Sequence, residues 1–407
     1  MILEKDILQV IEQQKERLVG ISTGQARQIE INLKNIASHA LIITGIRRCG
    51  KSTLMHQMIK KTAEDKSLYV NFESPFLYNF SMNDFSRLDN IIQKTGANWL
   101  FFDEIQTIEK WELYVRQKLE EGYKVVVTGS NASLLSSELG TKLTGRHISQ
   151  ELFPFSYKEF ITFKALQPDK ESAKDYLHKG GFPEYLKTED LFQLSSLFDD
   201  ILIRDIVARF GIKEIKSLQN LALYLITNVG NRFSASKMRQ PLSISSTSTI
   251  TNWLTYLENS YLFSFVPMYS HSLKAMLVNP KKVYCVDTGL LQSLSLKGSE
   301  DWGQKFENLI FTHLRRRHKE IFYFDNKGGA ECDFIVMRHG KALNIIQVCY
   351  ELTPDNLDRE INGAMEAMFF FSLKTATLVT FSDKDEIKKN GCTIAIVPAH
   401  EFLCEKA

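Results

Sequence analysis

Nothing in this 407-residue sequence approaches the roughly twenty consecutive apolar residues that span a bilayer. No membrane partner is therefore expected. The first twenty residues, MILEKDILQVIEQQKERLVG, form a charged amphipathic pattern and not a signal peptide, so the expected address is cytoplasmic. Six cysteines occur without a C-x-x-C pair, which argues against a disulfide framework and against a zinc ribbon; they are expected to be reduced and mostly packed. Charge of one sign is also missing. A net charge of +2 gives no whole-chain case for nucleic acid, so any such case must come from a local patch. There is no internal repeat and no low-complexity tract. What is present, 44% hydrophobic and 24% charged residues, describes a globular chain long enough for two or three compact units.

The most explicit stretch is LIITGIRRCGKSTLM, an apolar strand, a glycine turn and the opening of a helix. Gly45, Gly50, Lys51 and Ser52 fit G-x-x-x-x-G-K-[ST]. The two glycines let successive backbone N–H groups point at phosphate oxygens, where a side chain would obstruct them. The helix start adds its dipole, Lys51 reaches the terminal phosphates and the Ser52 hydroxyl is placed to ligate Mg²⁺. A bland glycine turn would not require the lysine and the hydroxyl together.

A phosphate cradle hydrolyses nothing by itself. NWLFFDEIQ supplies the missing groups: an apolar run, as a strand buried on both faces should be, ending in Asp103 and Glu104. Asp103 is expected to hold Mg²⁺ through water and Glu104 to polarise the attacking water as general base. A third apolar strand, YKVVVTGSN, ends in Thr128, Ser130 and Asn131, polar residues suited to sensing a terminal phosphate. Arg146, in TKLTGR, is a candidate for stabilising transition-state charge, set against the ordinary reading of a solvated loop arginine. The directions of Arg47 and Arg48 cannot be read, and Cys49 is taken as a small tolerated residue.

Together GIRRCGKST, FFDEIQTIEKWE, VVVTGSNASLLSSELGTKLTGR and ELFPFSYKEF resemble the prokaryotic AAA+-type P-loop ATPases that carry a nuclease-like C-terminal domain. The resemblance runs from about residue 35 almost to the end. It implies ATP and Mg²⁺ as cofactors, Lys51, Ser52 and Thr53 in the Walker A role, Asp103 and Glu104 in Walker B, Asn131 or Ser130 as sensor, and Arg146 as the arginine closing the LTGR block. The fold implied is an α/β P-loop parallel sheet with a helical lid and a winged helix, followed by a second α/β domain like restriction endonucleases. The expected division is a helical lead over 1–34, an ATPase core over 35–159, a lid over 160–215 broken at Gly180, Gly181 and Pro183, a winged-helix-like region over 216–272, and a nuclease-like domain over 273–407. Arg204 and Arg209 in the lid read as an exposed helix face.

The stretch Ser248 to Leu257 stands in the recognition position of the winged helix, yet it carries Ser, Thr and Asn252 without arginine or lysine. Phosphate affinity comes mainly from basic side chains, so protein docking weighs at least as much as reading DNA or RNA. Lys237 and Arg239 nearby keep the nucleic-acid option open. In the last domain the resemblance is to the PD-(D/E)xK pattern: Glu307 on the first helix, Asp333 on the second strand and Gln347 on the third match, whereas Cys349 stands where a lysine belongs. Gln347 and Cys349, alternate residues on a strand, are expected to face one side, toward any metal held by Asp333. A neutral thiol can neither orient water nor offset the developing phosphate charge. The domain is therefore expected to be degenerate and non-cleaving unless a migrated base such as Lys327 or Lys341 serves. The basic run Arg315, Arg316, Arg317 and Lys319 suits a helix C-terminus without further explanation.

The expected function is Mg²⁺-dependent ATP hydrolysis that moves the winged-helix and nuclease-like modules on a nucleic-acid or protein partner. The alternatives are an ATP-controlled nuclease and a slow nucleotide-binding signalling switch. Arg146 acting in trans would make a homo-oligomer plausible, while a finger acting in cis fits the sequence equally well.

Overall fold

The structure, a computed structural model, describes residues 2–20, 22–29, 31, 36, 38–62, 66–131, 143, 145–244, 246–295, 301–326 and 330–405. The chain divides into two compact units, residues 1–153 with 259–261, and residues 154–258 with 262–407.

The first unit is built on a wholly parallel sheet of five strands: β1 (Ala40–Thr44), β2 (Ser67–Asn71), β3 (Trp99–Asp103), β4 (Lys124–Gly129) and β5 (His147–Glu151), in the order β2-β3-β4-β1-β5. Every residue of β1 and β3 is buried, which is why their sequences run apolar without alternation. Helices Glu4–Gly20, Lys51–Lys61, Phe85–Thr95 and Trp111–Glu120 accompany the sheet. Ile42, Leu100, Phe102, Val125 and Val127 from the strands share one apolar cluster with Ile7, Leu88, Ile92 and Val115 from the helices. Phe85 stacks on Tyr114 within it, ring centroids 3.8 Å apart. Each such side chain contributes about 1.5–3 kcal/mol on full burial, enough to fix strand order and helix placement. The register pairs Ile43 with Thr128 and Phe102 with Val127, so β1, β3 and β4 end along a common carboxyl edge. Ligands of open α/β sheets bind at that edge.

The second unit opens with helices Tyr157–Lys164, Lys170–Lys179, Pro183–Thr188 and Leu191–Asp200, the last continuing into a π-helical stretch, Ile201–Val207. Capping boxes begin the first two, Ser156 with Glu159 and Asp169 with Ser172. Such a cap contributes about 1 kcal/mol. The break at Gly180 and Gly181 is sterically required: a Cβ on Gly181 would lie 2.2 Å from the carbonyl oxygen of Phe155. Helices Ile215–Thr227 and Thr247–Asn259 follow, with an antiparallel sheet of β6 (Arg232–Phe233), β7 (Phe263–Val266) and β8 (Lys281–Cys285) in the order β6-β8-β7. Helix Trp302–Arg315 then leads to a six-stranded mixed sheet of β9 (Glu320–Asp325), β10 (Glu331–Arg338), β11 (Lys341–Cys349), β12 (Thr375–Thr380), β13 (Asp385–Lys389) and β14 (Cys392–Pro398), ordered β13-β14-β12-β11-β10-β9. β10 pairs antiparallel with β9 and β11, and β12 pairs parallel with β11 and β14. Helix Pro354–Phe371 covers one face, burying Ile361, Ala364 and Met368 with Ile345, Cys349 and Leu378.

Candidate functional site

Gly45 follows β1 at φ +144°, and a Cβ there would stand 2.1 Å from the carbonyl oxygen of Leu152. Only glycine fits that approach. Gly50, at φ +103°, turns the chain into helix Lys51–Lys61, whose first turn carries no acidic residue and whose last carries Lys60 and Lys61. The positive end of the helix dipole thus stays uncompensated by carboxylate at the glycine turn. Arg27, absent from the sequence reading, braces the loop from behind by donating to the carbonyls of Cys49 (2.8 Å) and Phe153 (2.7 Å). Gln57 on the same helix donates to the carbonyls of Thr23 and Gln25, tying the segment before β1 to it. Arg47, whose direction was unreadable, pairs with Glu73 at 3.0 Å. Cys49 is fully buried, and burial raises its thiol pKa, in keeping with a packing role.

Lys51 is 5% exposed and lies folded over its own loop, donating to the carbonyls of Gly45 (3.1 Å) and Ile46 (3.3 Å), with Glu104 Oε1 at 3.5 Å. Asp103 is wholly buried at the end of β3 and accepts from Tyr69 (2.8 Å), Thr128 and Ser52. Burial, with the Glu104 charge beside it, raises its pKa against those three hydroxyls. Glu104 sits in the left-handed region at φ +52°, its N–H donating to Thr128 Oγ1 at 3.0 Å. Its Oε2 accepts from the Gln106 amide and from Ser130 N–H. Burial raises the Glu104 pKa, but the Lys51 charge and the Gln106 bond outweigh it and hold the carboxyl below its ordinary value. Lys51, penalised by burial, is correspondingly kept above its own by Glu104.

Gly45, Gly50, Lys51, Ser52, Asp103, Glu104, Thr128 and Ser130 therefore converge on one edge of the sheet, with Asn131, 1% exposed, directly after Ser130 and Thr53 one turn-position after Ser52. Ser52 and Asp103 offer a hydroxyl and a carboxylate in contact, hard oxygen donors of the kind Mg²⁺ takes. Arg146 does not join them. It is exposed and precedes β5, where Ala40 pairs with His147 and Thr44 with Glu151. Five strand residues at about 3.3 Å each put its backbone roughly 16 Å from Gly45, at the opposite end of β1, so its side chain cannot reach the phosphate end from within the same chain. Tyr69, Arg27 and Gln106 carry no motif; only the alternation of SLYVN, placing Tyr69 on one face of its strand with Ser67 and Asn71, hinted at the first.

In the second unit the structure brings Glu307 and Asp333 together, but around a residue the sequence reading passed over. Lys282 of β8 is 4% exposed and its Nζ lies 3.0 Å from Glu307 Oε1, 2.7 Å from Glu331 Oε1 and 2.9 Å from Asp333 Oδ1. Tyr284, two residues along the same strand face, donates to Glu307 Oε1 at 2.6 Å. Arg232 pairs with Asp325 and with Glu331. Burial pushes the Glu307 carboxyl up to about 7, against the pull of Lys282 and with the push of Asp333. Gln347 accepts from Asp333 N–H and donates to Glu360 Oε2 at 2.6 Å. Cys349 belongs to the apolar cluster under helix Pro354–Phe371; its thiol donates to the Glu351 carbonyl, and burial, then Glu360, pushes it up to about 11. It is a neutral packed thiol that shares its strand face with Gln347 and feels the Glu360 and Asp333 charges, but it offers them no cation. Lys341 begins β11, eight residues before Cys349, and is exposed; Lys327 lies outside the described residues. The alternation of Lys282 with Tyr284 and of Glu331 with Asp333 was the available signal for this cluster.

Residues 37–161 match the model of a family described as an AAA domain, and residues 170–301 match a domain of unknown function, DUF8612. The uncharacterized protein MJ1544 of Methanocaldococcus jannaschii is 32% identical over 381 residues, covering 88% of this chain and 85% of that protein. An uncharacterized protein of Haemophilus influenzae is 32% identical over 338 residues, covering 77% and 83%. Among solved structures, AMPPCP-bound DnaA from Aquifex aeolicus matches 56% of this chain and 84% of its own at 15% identity with a TM-score of 0.29, too low to bear on the fold. The glycine turn and its facing carboxylates thus fall inside a recognised AAA domain, and over nearly its whole length the chain belongs to the family of the Methanocaldococcus jannaschii protein MJ1544.

Proposed function

We propose that the chain is a Mg²⁺-dependent ATP hydrolase whose second unit engages a partner without cleaving it. The observation that carries the reading is the cluster at the carboxyl edge of the parallel sheet: Lys51 and Glu104 paired at 3.5 Å, Asp103 held by three hydroxyls, and a glycine turn that tolerates no Cβ. Backbone N–H groups of the turn and helix start bind phosphate oxygens. Lys51 leaves its two loop carbonyls for the terminal phosphates, exchanging neutral acceptors for charged ones. Ser52 and Asp103 hold Mg²⁺, which when bound neutralises charge on the phosphate oxygens. Glu104, kept ionised by Lys51 and oriented by Gln106 and Ser130, accepts the proton of the attacking water. Asn131, at the exit of β4, is placed to sense the terminal phosphate, and Arg146 contributes only in trans, from a second copy of the chain.

For the second unit, the neutral thiol of Cys349 in the lysine position supports a non-cleaving module. Helix Thr247–Asn259 buries Ile250, Trp253 and Leu257 and exposes Ser248, Thr251, Asn252 and Thr255. Thr251 and Thr255 turn their hydroxyls back onto the carbonyls of Thr247 and Thr251, which favours protein docking over base reading. The test is ATP turnover measured with and without duplex DNA, beside ATP binding by the wild type and Lys51→Ala. Turnover lost with binding in Lys51→Ala supports the hydrolase; tight ATP binding with no turnover under any condition favours the signalling switch.

A further inference from the structure

The six-stranded sheet borders a cavity of about 620 Å³ walled by Glu307, Glu331, Asp333, Gln347, Arg359 and Glu360. A metal-dependent nuclease site needs several hard oxygen donors facing one position that is open to the ion. Among the described residues, no three carboxylate, histidine or cysteine side chains are grouped so as to hold a metal. The position that Glu307, Glu331 and Asp333 face belongs to the Lys282 ammonium. An ammonium has three N–H donors, and here each has one carboxylate partner, at 3.0, 2.7 and 2.9 Å. Those spacings suit an ammonium and exceed the about 2.0–2.6 Å that Mg²⁺ or Ca²⁺ requires.

We infer that Lys282 is the resident cation of this site: its ammonium stands where a divalent metal would have to bind, so the native cluster is closed to divalent cations and removing the lysine charge opens it. The other donors are already committed. Asp333 Oδ2 accepts from Val348 N–H at 3.0 Å, Glu307 Oε1 also accepts from Tyr284, Gln347 is spent between Asp333 and Glu360, and Arg232 balances Glu331 and Asp325. Lys282 is not free to swing aside as a surface lysine would, because its side chain is buried and its ammonium is held by all three carboxylates. The inference rests on the reading of this unit as a non-cleaving module and supplies its cause: the missing strand lysine is only half of it, since a lysine from another strand has taken the metal's place.

The experiment is a Mn²⁺ titration of the nucleotide-free full chain, followed by electron paramagnetic resonance of the free ion. The proteins are wild type, Asp333→Asn, Lys282→Met and the double variant Lys282→Met/Asp333→Asn. Any Mn²⁺ held at Ser52 and Asp103 is common to all four and cancels. The expected result is identical binding by wild type and Asp333→Asn, with one additional Mn²⁺ in Lys282→Met, bound about tenfold or more tighter than any wild-type ion and lost in the double variant. A folded Lys282→Met that binds no additional ion overturns the inference. So does wild-type binding that disappears in Asp333→Asn, a comparison that needs no lysine variant. Should Lys282→Met not fold, Lys282→Gln, which keeps an N–H donor, takes its place with the same two outcomes. Incubation of the wild type with duplex DNA and Mn²⁺ separates the two levels of the claim: cleavage abolished by Asp333→Asn overturns the non-cleaving reading as well, whereas metal binding without cleavage overturns the inference alone.

Discussion

Thr128 shows how much of the candidate site's geometry depends on a residue without chemistry of its own. Its hydroxyl donates to Asp103 and accepts from the Glu104 N–H, so one side chain fixes both carboxylates. Thr128→Val keeps the strand's shape and loses both bonds; turnover should fall about tenfold or more while ATP affinity changes little, as measured by kcat and by direct binding. Glycine at position 45 allows no such grading. Gly45→Ala places a methyl 2.1 Å from a backbone oxygen and should abolish ATP binding, checked by calorimetry on folded protein. Residues of this local kind were legible in the sequence, because spacing along one turn fixes Gly45, Gly50, Lys51 and Ser52 relative to one another. Tyr69, Arg27 and Lys282 were not: strand alternation marks the face on which Tyr69 and Lys282 stand, but the groups on which each acts are brought to it by strand pairing or long-range contact.

Elements decide which of the legible residues can cooperate. β4 lies between β1 and β3, so Thr128 at its end reaches the carboxylates of the neighbouring strand, while the parallel register removes Arg146 to the far end of β1. A reading by motif alone could group Arg146 with the site; strand direction separates it. Arg27 ties the loop following β1 to the chain leaving β5. Arg27→Ala should lower stability by about 1–3 kcal/mol and weaken ATP binding, measured by denaturant melts and calorimetry. In the second unit β14, CTIAIVP, alternates buried with half-buried residues as a strand pattern should, whereas β13, DEIKK, offers no buried residue and is a strand only through its hairpin pairing with β14.

At the scale of the molecule, no helix among the described residues is long and apolar enough to cross a membrane. Stability instead carries a pH signature from Asp287, which accepts from Gly181 N–H (2.7 Å) and Gly289 N–H (2.9 Å) in the second unit. Burial outweighs those bonds and pushes its carboxyl from 3.8 up to about 6. The folded form therefore binds the proton more tightly than the unfolded chain. This contribution is fully present below pH 3.8 and is lost as pH rises through about 6. Asp287→Asn should flatten the fall in melting temperature between those values, as read by thermal melts of the two proteins side by side. The central claim, that the carboxyl edge of the first sheet hydrolyses ATP with Glu104 as base, is tested most directly by Mg²⁺-dependent ATP turnover in wild type and Glu104→Gln, with ATP binding measured in parallel. Turnover reduced by about a hundredfold or more with ATP binding retained is the expected result. Equal turnover in the two proteins, or none in the wild type, would contradict it.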